Sequence, residues 1–372
     1  MKPASQIFIV RNGALGDLVQ MTPLLQQIRA DLPASKITLF SSPNATSLFE
    51  GAPFIDDLVT LPAAWSSLDS GSRRMWLVWW KVSRHGKPDM LLSLESGLKR
   101  NLGMLLCRAG RKGGLLMEGP KPWHPFTHPL VVKRDQRQVQ EHTSQQYLQL
   151  WEKVSGFADR GLGYNMEHLV RPQSSGSDSE PPRRHICLAP GAGNAWLEMR
   201  TKRWPAASYV ELGSRLLNLG WNVIYLGGEH DLDGFDVPDG ARNLLGKTSI
   251  SEAARWLHGA GAMMGNDSGL LHLAISVGCP VVAAFGPTSE VFTGPFRARS
   301  STVLRSPMSC APCYRLECLP PPEVLSLGHD KPCCLHAISP DRALNALIQA
   351  AEAPSNSSSL ARSLPSDPQT GA

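Results

Sequence analysis

The segment Gly13-Ala-Leu-Gly16-Asp17 follows an apolar run, Ile7–Val10, and precedes an amphipathic stretch that extends from Leu18 through Leu32. Glycines permit a tight turn and a close approach of the backbone, so this order predicts a strand, a turn and a helix. Asp17 would lie in or beside the first helical turn, at a cleft. It would either cap the helix or act as a carboxylate base. The dinucleotide-binding fingerprint is excluded, because it needs a third glycine at another spacing.

A second segment, Gly265 to His272, places Asp267, Ser268 and Gly269 immediately before an apolar helix. The first turn of a helix offers free N–H donors and a partial positive charge, which together bind phosphate. His272 would lie one turn further on, near the same face. The alternative is an ordinary capped helix that carries a packed histidine.

Three more charged residues could contact a nucleotide. Lys202 and Arg203 precede Trp204-Pro205 and the start of a predicted helix, in a loop where they could neutralise a phosphate. An exposed basic loop is the alternative. Glu229 follows a predicted strand and resembles in placement the acidic residue that holds ribose hydroxyls in nucleotide-binding folds.

The cysteines cluster towards the end of the chain, at Cys310, Cys313, Cys318, Cys333 and Cys334. A C-x2-C pair with further cysteines nearby can hold zinc or iron, but the spacing matches no standard zinc signature. We therefore expect no metal, and a metal site at Cys310, Cys313, Cys318 and Cys333 is the alternative to free thiols or a labile disulfide.

A tryptophan-rich segment, Trp76-Leu-Val-Trp79-Trp80, lies between Arg73-Arg74 and Lys81. Packing of an amphipathic helix on the core explains it, and contact with a lipid surface or an amphiphilic acceptor is the sharper hypothesis.

The elements that must position these residues alternate between strand and helix. Each predicted strand of the second half, from His185–Ala189 onwards, ends in a glycine-bearing loop, and ligands bind at that carboxyl edge of open α/β sheets. We predict an N-terminal domain over 1–172, a linker over 173–184, a C-terminal domain over 185–350 and a disordered tail over 351–372. The linker and the tail are rich in Ser, Gly and Pro.

The composition excludes several classes of protein. The 372 residues, with 42% hydrophobic and 19% charged side chains, are not those of a disordered, fibrous or small disulfide-rich chain. No apolar run reaches the roughly 18 residues that span a bilayer, and no secretory signal is evident, so we expect a cytoplasmic protein. The first 172 residues carry a net charge of +7 and the rest −2, which favours an anionic partner for the first half.

Taken together, these segments resemble glycosyltransferase family 9, the ADP-heptose:lipopolysaccharide heptosyltransferases, with heptosyltransferase II as the nearest type. The resemblance rests on Arg11-x4-Gly16-Asp17, Pro190-Gly191-Ala192 and Lys202-Arg203-Trp204-Pro205, on Gly228-Glu229, and above all on Asn266-Asp267-Ser268-Gly269-x2-His272. It covers about residues 7 to 350.

The resemblance implies a GT-B fold, in which two Rossmann-like domains face each other across a cleft, and an inverting transfer that needs no metal or other cofactor. It makes Asp17 the general base and Lys202 the stabiliser of the leaving group. The implied nucleotide-sugar site comprises Gly191, Lys202, Glu229, Asp267, Ser268, Gly269 and His272, and the implied acceptor site comprises Arg11 and Gly16. The implied donor is ADP-heptose and the implied acceptor is the lipid A–Kdo core. The implied location is the cytoplasm, in peripheral contact with the inner membrane, with no nucleic acid as a partner.

Three alternatives stay open at this point. The chain could be a family 9 transferase that uses another nucleotide sugar or a protein acceptor, or it could be a nucleotide-sugar 2-epimerase, which would turn over its donor without an acceptor. A binding protein that has lost catalysis is the third, although it would have no need to keep Asp17 and Lys202.

Overall fold

The computed structural model describes residues 6–61, 72–119, 123–133, 135–171, 185–192, 200–318 and 334–353, without the side chains of 72–75 and 136. The predicted linker, residues 173–184, lies outside the described residues, as does nearly all of the predicted tail, so both stay predictions. No helix among the described residues has the length and apolarity needed to cross a membrane.

Two parallel six-stranded sheets form the framework. The first contains β1 (Gln6–Arg11), β2 (Lys36–Ser41), β3 (Asp57–Thr60), β4 (Met90–Ser96), β5 (Arg111–Met117) and β6 (His128–Val132), in the order β3-β2-β1-β4-β5-β6. The second contains β7 (His185–Ala189), β8 (Asn222–Gly227), β9 (Arg242–Leu245), β10 (Ala262–Asn266), β11 (Val281–Phe285) and β12 (Ser301–Arg305), in the order β12-β11-β10-β7-β8-β9. The two orders are the same pattern, that of a doubly wound Rossmann sheet.

Helices cover the sheets. They are α1 (Leu15–Gln20), α2 (Thr22–Asp31), α3 (Asn44–Phe49), α4 (Ser72–His85), α5 (Leu98–Asn101), α6 (Thr143–Ser155), α7 (Ala206–Asn218), α8 (Ile250–His258), α9 (Gly269–Ser276), α10 (Glu290–Thr293) and α11 (Pro340–Glu352). Short 3₁₀ turns lie at Leu102–Leu106, Gln136–Gln138, Glu167–Val170, Arg200–Lys202 and Cys334–Ala337.

The central strands β7, β10 and β11 are buried throughout, and β1 is buried except at its two ends, which explains why their sequences are short and mainly apolar. One buried cluster joins the two sheets, because α1 and α2 of the first half pack in the same cluster as α8 and α9 of the second. A separate cluster fills the other face of the first sheet, under α4. The two halves are therefore in direct contact.

One of the sequence predictions needs correction. The amphipathic stretch from Leu18 through Leu32 is not one helix, because α1 ends at Gln20 and α2 begins at Thr22, with Pro23 within the first turn of α2. Helix α8 has Ser249 as its N-cap. Ser249 accepts a hydrogen bond from the N–H of Glu252, whose carboxylate accepts from Ser249 in return.

Candidate active site

The predicted site residues lie where the two sheets face each other. In each sheet the strand order reverses beside the central strand, between β1 and β4 and between β7 and β10. Ligands bind at such switch points in α/β sheets. Helix α1 begins at the first of them and α9 at the second.

The first turns of α1 and α9 contact each other through two glycines. A Cβ added to Gly16 would lie 2.9 Å from Cδ2 of His272, and one added to Gly269 would lie 2.9 Å from the side chain of Leu15. Neither position has room for a side chain. The glycines thus allow two helix N-termini, one from each half of the molecule, to meet.

Asp17 occupies the third position of α1, whose N-cap is Ala14. Its Oδ2 accepts a hydrogen bond from the N–H of Ala14 at 3.0 Å, and its Oδ1 accepts one from Arg11 at 2.9 Å. The side chain stays 41% exposed. Asp17 therefore caps the turn from inside the helix and still keeps its carboxylate partly open to solvent, so its two proposed roles are compatible.

Arg11 is held by groups of the first domain. Besides Asp17, its guanidinium donates to the carbonyl oxygen of Leu94 at 3.1 Å and lies 3.8 Å from Glu95. Burial raises the pKa of Glu95, while the charge of Arg11 and the N–H of Asn12 act in the opposite direction. The geometry makes Arg11 a positioning residue for Asp17. Direct contact of Arg11 with an acceptor stays a prediction.

Lys202 and Asp267 form an ion pair with 2.8 Å between Nζ and Oδ2. Asp267 is buried, and it also accepts a hydrogen bond from Thr293 at 3.2 Å. Burial alone would raise the pKa of Asp267, but the charge of Lys202 keeps it below its usual value. Asp267 therefore fixes the Lys202 ammonium at the start of α9.

His272 is buried one turn into α9. Its Nε2 lies 3.0 Å from the side-chain nitrogen of Gln20 and 3.9 Å from the carboxylate of Asp267. Burial lowers its pKa to about 4, so the ring is neutral at pH 7. Gln20 then donates to Nε2, and the proton lies on Nδ1, which has no hydrogen-bond partner among the described residues.

Asn266, at the end of β10, joins three loops of the second domain. Its Nδ2 donates to the carbonyl oxygens of Pro190 at 2.8 Å and Gly191 at 3.2 Å, and its Oδ1 accepts from the N–H of Trp204 at 2.9 Å. These bonds place the Gly191 loop and the Lys202-Arg203 turn beside α9. Asn266 belongs to the predicted motif, but its role as a support emerges only from the structure.

A cleft of about 450 Å³ lies between the two halves. It is lined by Ala14, Leu15, Gly16 and Asn44 of the first half and by Gly191, Ala192, Arg203, Gly227, Gly228, Asp231, Thr248, Ser249, Ile250, Ala253, Ser268, Gly269, Leu270 and Leu273 of the second. Ser268 caps α9 without a side-chain hydrogen bond, and its buried Oγ has no partner among the described residues. A polar ligand in this cleft would supply one.

Glu229 does not line this cleft, whereas Asp231 does. Glu229 is exposed and packs on Gly246, where an added Cβ would lie 2.9 Å from its own. Asp231 turns inward, because its Oδ2 accepts from the N–H of Gly228 at 2.7 Å. Its carboxylate lies against Gly191, whose added Cβ would be 2.1 Å away. Asp231, and not Glu229, thus lines the cleft, and a role of Glu229 in nucleotide binding stays a prediction. The signal for Asp231 was a second acidic side chain two residues later in the same loop.

The cysteine segment forms no metal centre within the part of the chain that the structure describes. Cys310 and Cys313 are free thiols there. Cys333 lies outside the described residues, so the four-cysteine site stays a prediction.

Residues 109–322 match the model of glycosyltransferase family 9 (heptosyltransferase). Lipopolysaccharide heptosyltransferase 1 of Pseudomonas aeruginosa is 33% identical over 189 residues, which are 47% of this chain and 51% of that protein. Lipopolysaccharide heptosyltransferase 2 of Salmonella typhimurium is 25% identical over 325 residues, 80% of this chain and 87% of that protein.

Two solved structures share the fold. A family 9 glycosyltransferase from Veillonella parvula superposes with a TM-score of 0.68 at 20% identity, covering 93% of this chain and 97% of that one. ADP-heptose LPS heptosyltransferase II of E. coli gives 0.64 at 19% identity, covering 93% and 98%. The expected GT-B architecture is confirmed.

Proposed function

We propose, because this chain belongs to glycosyltransferase family 9, that it transfers a heptose from ADP-heptose to the inner core of lipopolysaccharide, with inversion at the anomeric carbon. The family match spans residues 109–322, and the relatives of known name are lipopolysaccharide heptosyltransferases. The observation that carries the mechanism is the contact between the first turn of α1, which contains Asp17, and the first turn of α9.

Asp17 acts as the general base. An acceptor hydroxyl attacks the anomeric carbon, the bond from that carbon to the phosphate oxygen breaks, and Asp17 takes the hydroxyl proton. The 41% exposure of its side chain leaves the carboxylate open to the acceptor, while Arg11 and the N–H of Ala14 fix its direction. One base on the acceptor side suits inversion, because the leaving group departs from the opposite face of the sugar.

Positive charge for the departing diphosphate comes from the second domain. The Lys202 ammonium, held by Asp267, and the free N–H groups at the start of α9 would bind the negative charge that develops on ADP. The Oγ of Ser268 adds a hydrogen bond to the same group. This arrangement needs no metal, so a chelator should leave transfer unchanged.

Recognition of the donor extends along the cleft to Gly191 and Asp231. The space beside Gly191 is filled by the Asp231 carboxylate, which would accept hydrogen bonds from the ribose hydroxyls of ADP. His272 lies beneath this surface as a neutral ring, and it contributes by holding Gln20 and Gly16 in place. The lipid-borne acceptor would be reached by peripheral contact with a membrane.

The test is a transfer assay with ADP-heptose and truncated lipopolysaccharide. Loss of a general base costs about 10²- to 10⁴-fold, so we expect Asp17→Asn to lower kcat by at least about 100-fold. Asp57→Asn is the matched control, because it also removes a carboxylate charge paired with a basic side chain, Lys36, outside the cleft. It should transfer at the wild-type rate. An Asp17→Asn enzyme as fast as the Asp57→Asn control would refute the assignment of the base.

A further inference from the structure

Helix α4 exposes an apolar face in the first domain. Val78, Trp79 and Val82 are buried on its inner side. On its outer side Trp76 is 43% exposed, and Leu77 and Trp80 are each 56% exposed. The three exposed positions fall on one arc, because residues four apart on a helix are neighbours. Two exposed tryptophans on one helix face are unusual for a surface that meets only water.

Further apolar side chains surround this face. Leu105 and Leu106, in the 3₁₀ turn packed beside α4, are 47% and 45% exposed, and Trp123 is 64% exposed. The segments that carry them rest on one buried cluster, which contains Trp79, Met104 and Phe126. We call the set Trp76, Leu77, Trp80, Leu105, Leu106 and Trp123 the tryptophan surface.

Positive charge accompanies the tryptophan surface. Residues 72–112 contain ten Lys and Arg but two acidic residues, Asp89 and Glu95. The Glu95 side chain is 1% exposed, and Asp89 lies at the amino end of β4, where it accepts from the N–H of Gln6. Lys81 and Arg84 share the outer arc of α4, and the Arg84 guanidinium lies 5.9 Å from the centre of a Trp80 ring. No acidic side chain among the described residues of α4 opposes them.

We propose that the tryptophan surface docks this protein on a bilayer that contains anionic phospholipid. Tryptophan is favoured at the boundary between headgroups and acyl chains because its ring is apolar and its N–H is polar. Lys and Arg beside it add attraction to anionic headgroups. The proposal rests on the proposed function, since a lipid-borne acceptor requires the enzyme to work at a membrane.

A chain of contacts leads from the buried side of α4, beneath the tryptophan surface, to Asp17. The indole N–H of Trp79 donates to the carbonyl oxygen of Arg100 at 2.7 Å, and the Arg100 guanidinium lies 3.4 Å from Glu95. Glu95 lies 3.8 Å from Arg11, which donates to Asp17. Docking therefore holds the proposed base at a fixed position relative to the bilayer.

The experiment is sedimentation of the full chain with vesicles of phosphatidylcholine alone and of phosphatidylcholine with phosphatidylglycerol. We expect the wild type to bind the anionic vesicles and Trp76→Ser/Trp80→Ser to bind them at least tenfold more weakly. Leu219→Ser/Phe235→Ser is the matched control, since it removes two side chains of the second domain that are 58% and 47% exposed. That control should bind like the wild type. Circular dichroism of every variant verifies the fold.

A charge variant, Lys81→Glu/Arg84→Glu, should bind anionic vesicles more weakly than the wild type does. Its residual binding should not change with salt concentration. The proposal fails if the wild type does not bind anionic vesicles, or if the tryptophan variant binds them as tightly as the control does. It also fails if ultracentrifugation shows a wild-type dimer that the tryptophan variant dissociates, because a second copy of the chain then covers the surface.

Transfer to a delipidated, soluble core oligosaccharide separates this proposal from the proposed function. The tryptophan variant should keep the wild-type rate on that acceptor and lose rate on acceptor embedded in vesicles. If the wild type transfers no heptose and yet binds vesicles through the tryptophan pair, the function is wrong and the docking surface stands.

Discussion

Asp231 and Glu229 lie two residues apart, and the structure gives them opposite surroundings. Asp231 lines the cleft and contacts the Gly228 N–H, whereas Glu229 faces solvent. We expect Asp231→Asn to raise the KM for the donor about tenfold, because a charge-assisted hydrogen bond contributes roughly 1.5–3 kcal/mol. Glu229→Gln, the same change of chemistry in the same loop, should leave that KM within about twofold. Donor saturation curves of the two variants decide between the residues, and equal KM values would remove Asp231 from the site.

His272 should make the stability of the protein depend on pH. Burial lowers its pKa to about 4, whereas an unfolded histidine titrates near 6.5. As the pH falls from about 6.5 to 4, the histidine of the unfolded chain binds a proton, whereas the native His272 ring stays neutral. The free energy of unfolding therefore decreases over that pH range. The loss is on the order of 3 kcal/mol. His142 shares this behaviour, since burial lowers its pKa to about 3.

Thermal unfolding midpoints between pH 7.5 and 4 measure this dependence. We expect a flatter profile for His272→Gln than for the wild type. His230→Gln is the control, since its side chain is 80% exposed and its profile should match that of the wild type. A wild-type slope retained in His272→Gln would show that other groups are responsible.

The contact between α1 and α9 depends on two residues without side chains. Gly16→Ala would place a Cβ 2.9 Å from the His272 ring. That ring is buried, so it has no space to move away. We expect this variant to push the helices apart and lower kcat/KM by at least about tenfold, because a misplacement on the order of 1 Å can cost about 100-fold. Gly261→Ala is the control, since its nearest neighbour would lie at 3.4 Å, an ordinary contact. Steady-state kinetics compare the two, and a Gly16→Ala enzyme with wild-type kcat/KM would contradict the role of this contact.

At the scale of elements, the sequence predicts which strands and helices exist better than it predicts where they begin and end. The strand His185–Ala189 is found as predicted, because a buried parallel strand is a short apolar run between turn residues. The break between α1 and α2 was missed. The apolar period continues across it, and the hydroxyl of Thr22, which donates to the carbonyl oxygen of Val19, holds the bend.

The sequence singled out Gly16-Asp17 and the segment from Asp267 to His272, and the structure places Gly16 directly against His272. The hydrogen bond from Arg11 to Leu94 could not be predicted, because it joins β1 to β4 across 83 positions of sequence and needs the strand order. The direction of the Asp231 side chain is likewise set by one backbone hydrogen bond within its loop.

At the scale of the molecule, Arg297 of the second half forms hydrogen bonds with residues of the first half. Its guanidinium donates to Asp159 at 2.9 Å, to the carbonyl oxygen of Leu162 at 3.0 Å and to Gln145 at 3.0 Å. The hydrogen bond from Arg297 lowers the pKa of Asp159 to about 2. The adjacent Phe296 stacks on His142, with 4.7 Å between ring centres. A polar and aromatic contact therefore joins the two halves.

We expect Arg297→Ala to loosen the two halves, at a cost of about 1 kcal/mol for a partly exposed Arg–carboxylate pair. The radius of gyration from small-angle scattering should rise, and the thermal midpoint should fall by a few degrees. Arg29→Ala is the matched control, because Arg29 makes the same kind of contact, with Asp56, but within the first domain. It should lower the midpoint and leave the radius of gyration unchanged. An unchanged radius in Arg297→Ala would show that the halves are held by other contacts.

The tryptophan surface and Asp17 belong to the same domain, and this has a kinetic consequence. An enzyme bound through α4 meets its acceptor by diffusion in two dimensions. Its rate then depends on the number of acceptor molecules per unit area of bilayer rather than per unit volume of solution. Adding inert lipid at constant total acceptor should therefore slow the reaction, as surface dilution, although every bulk concentration is unchanged.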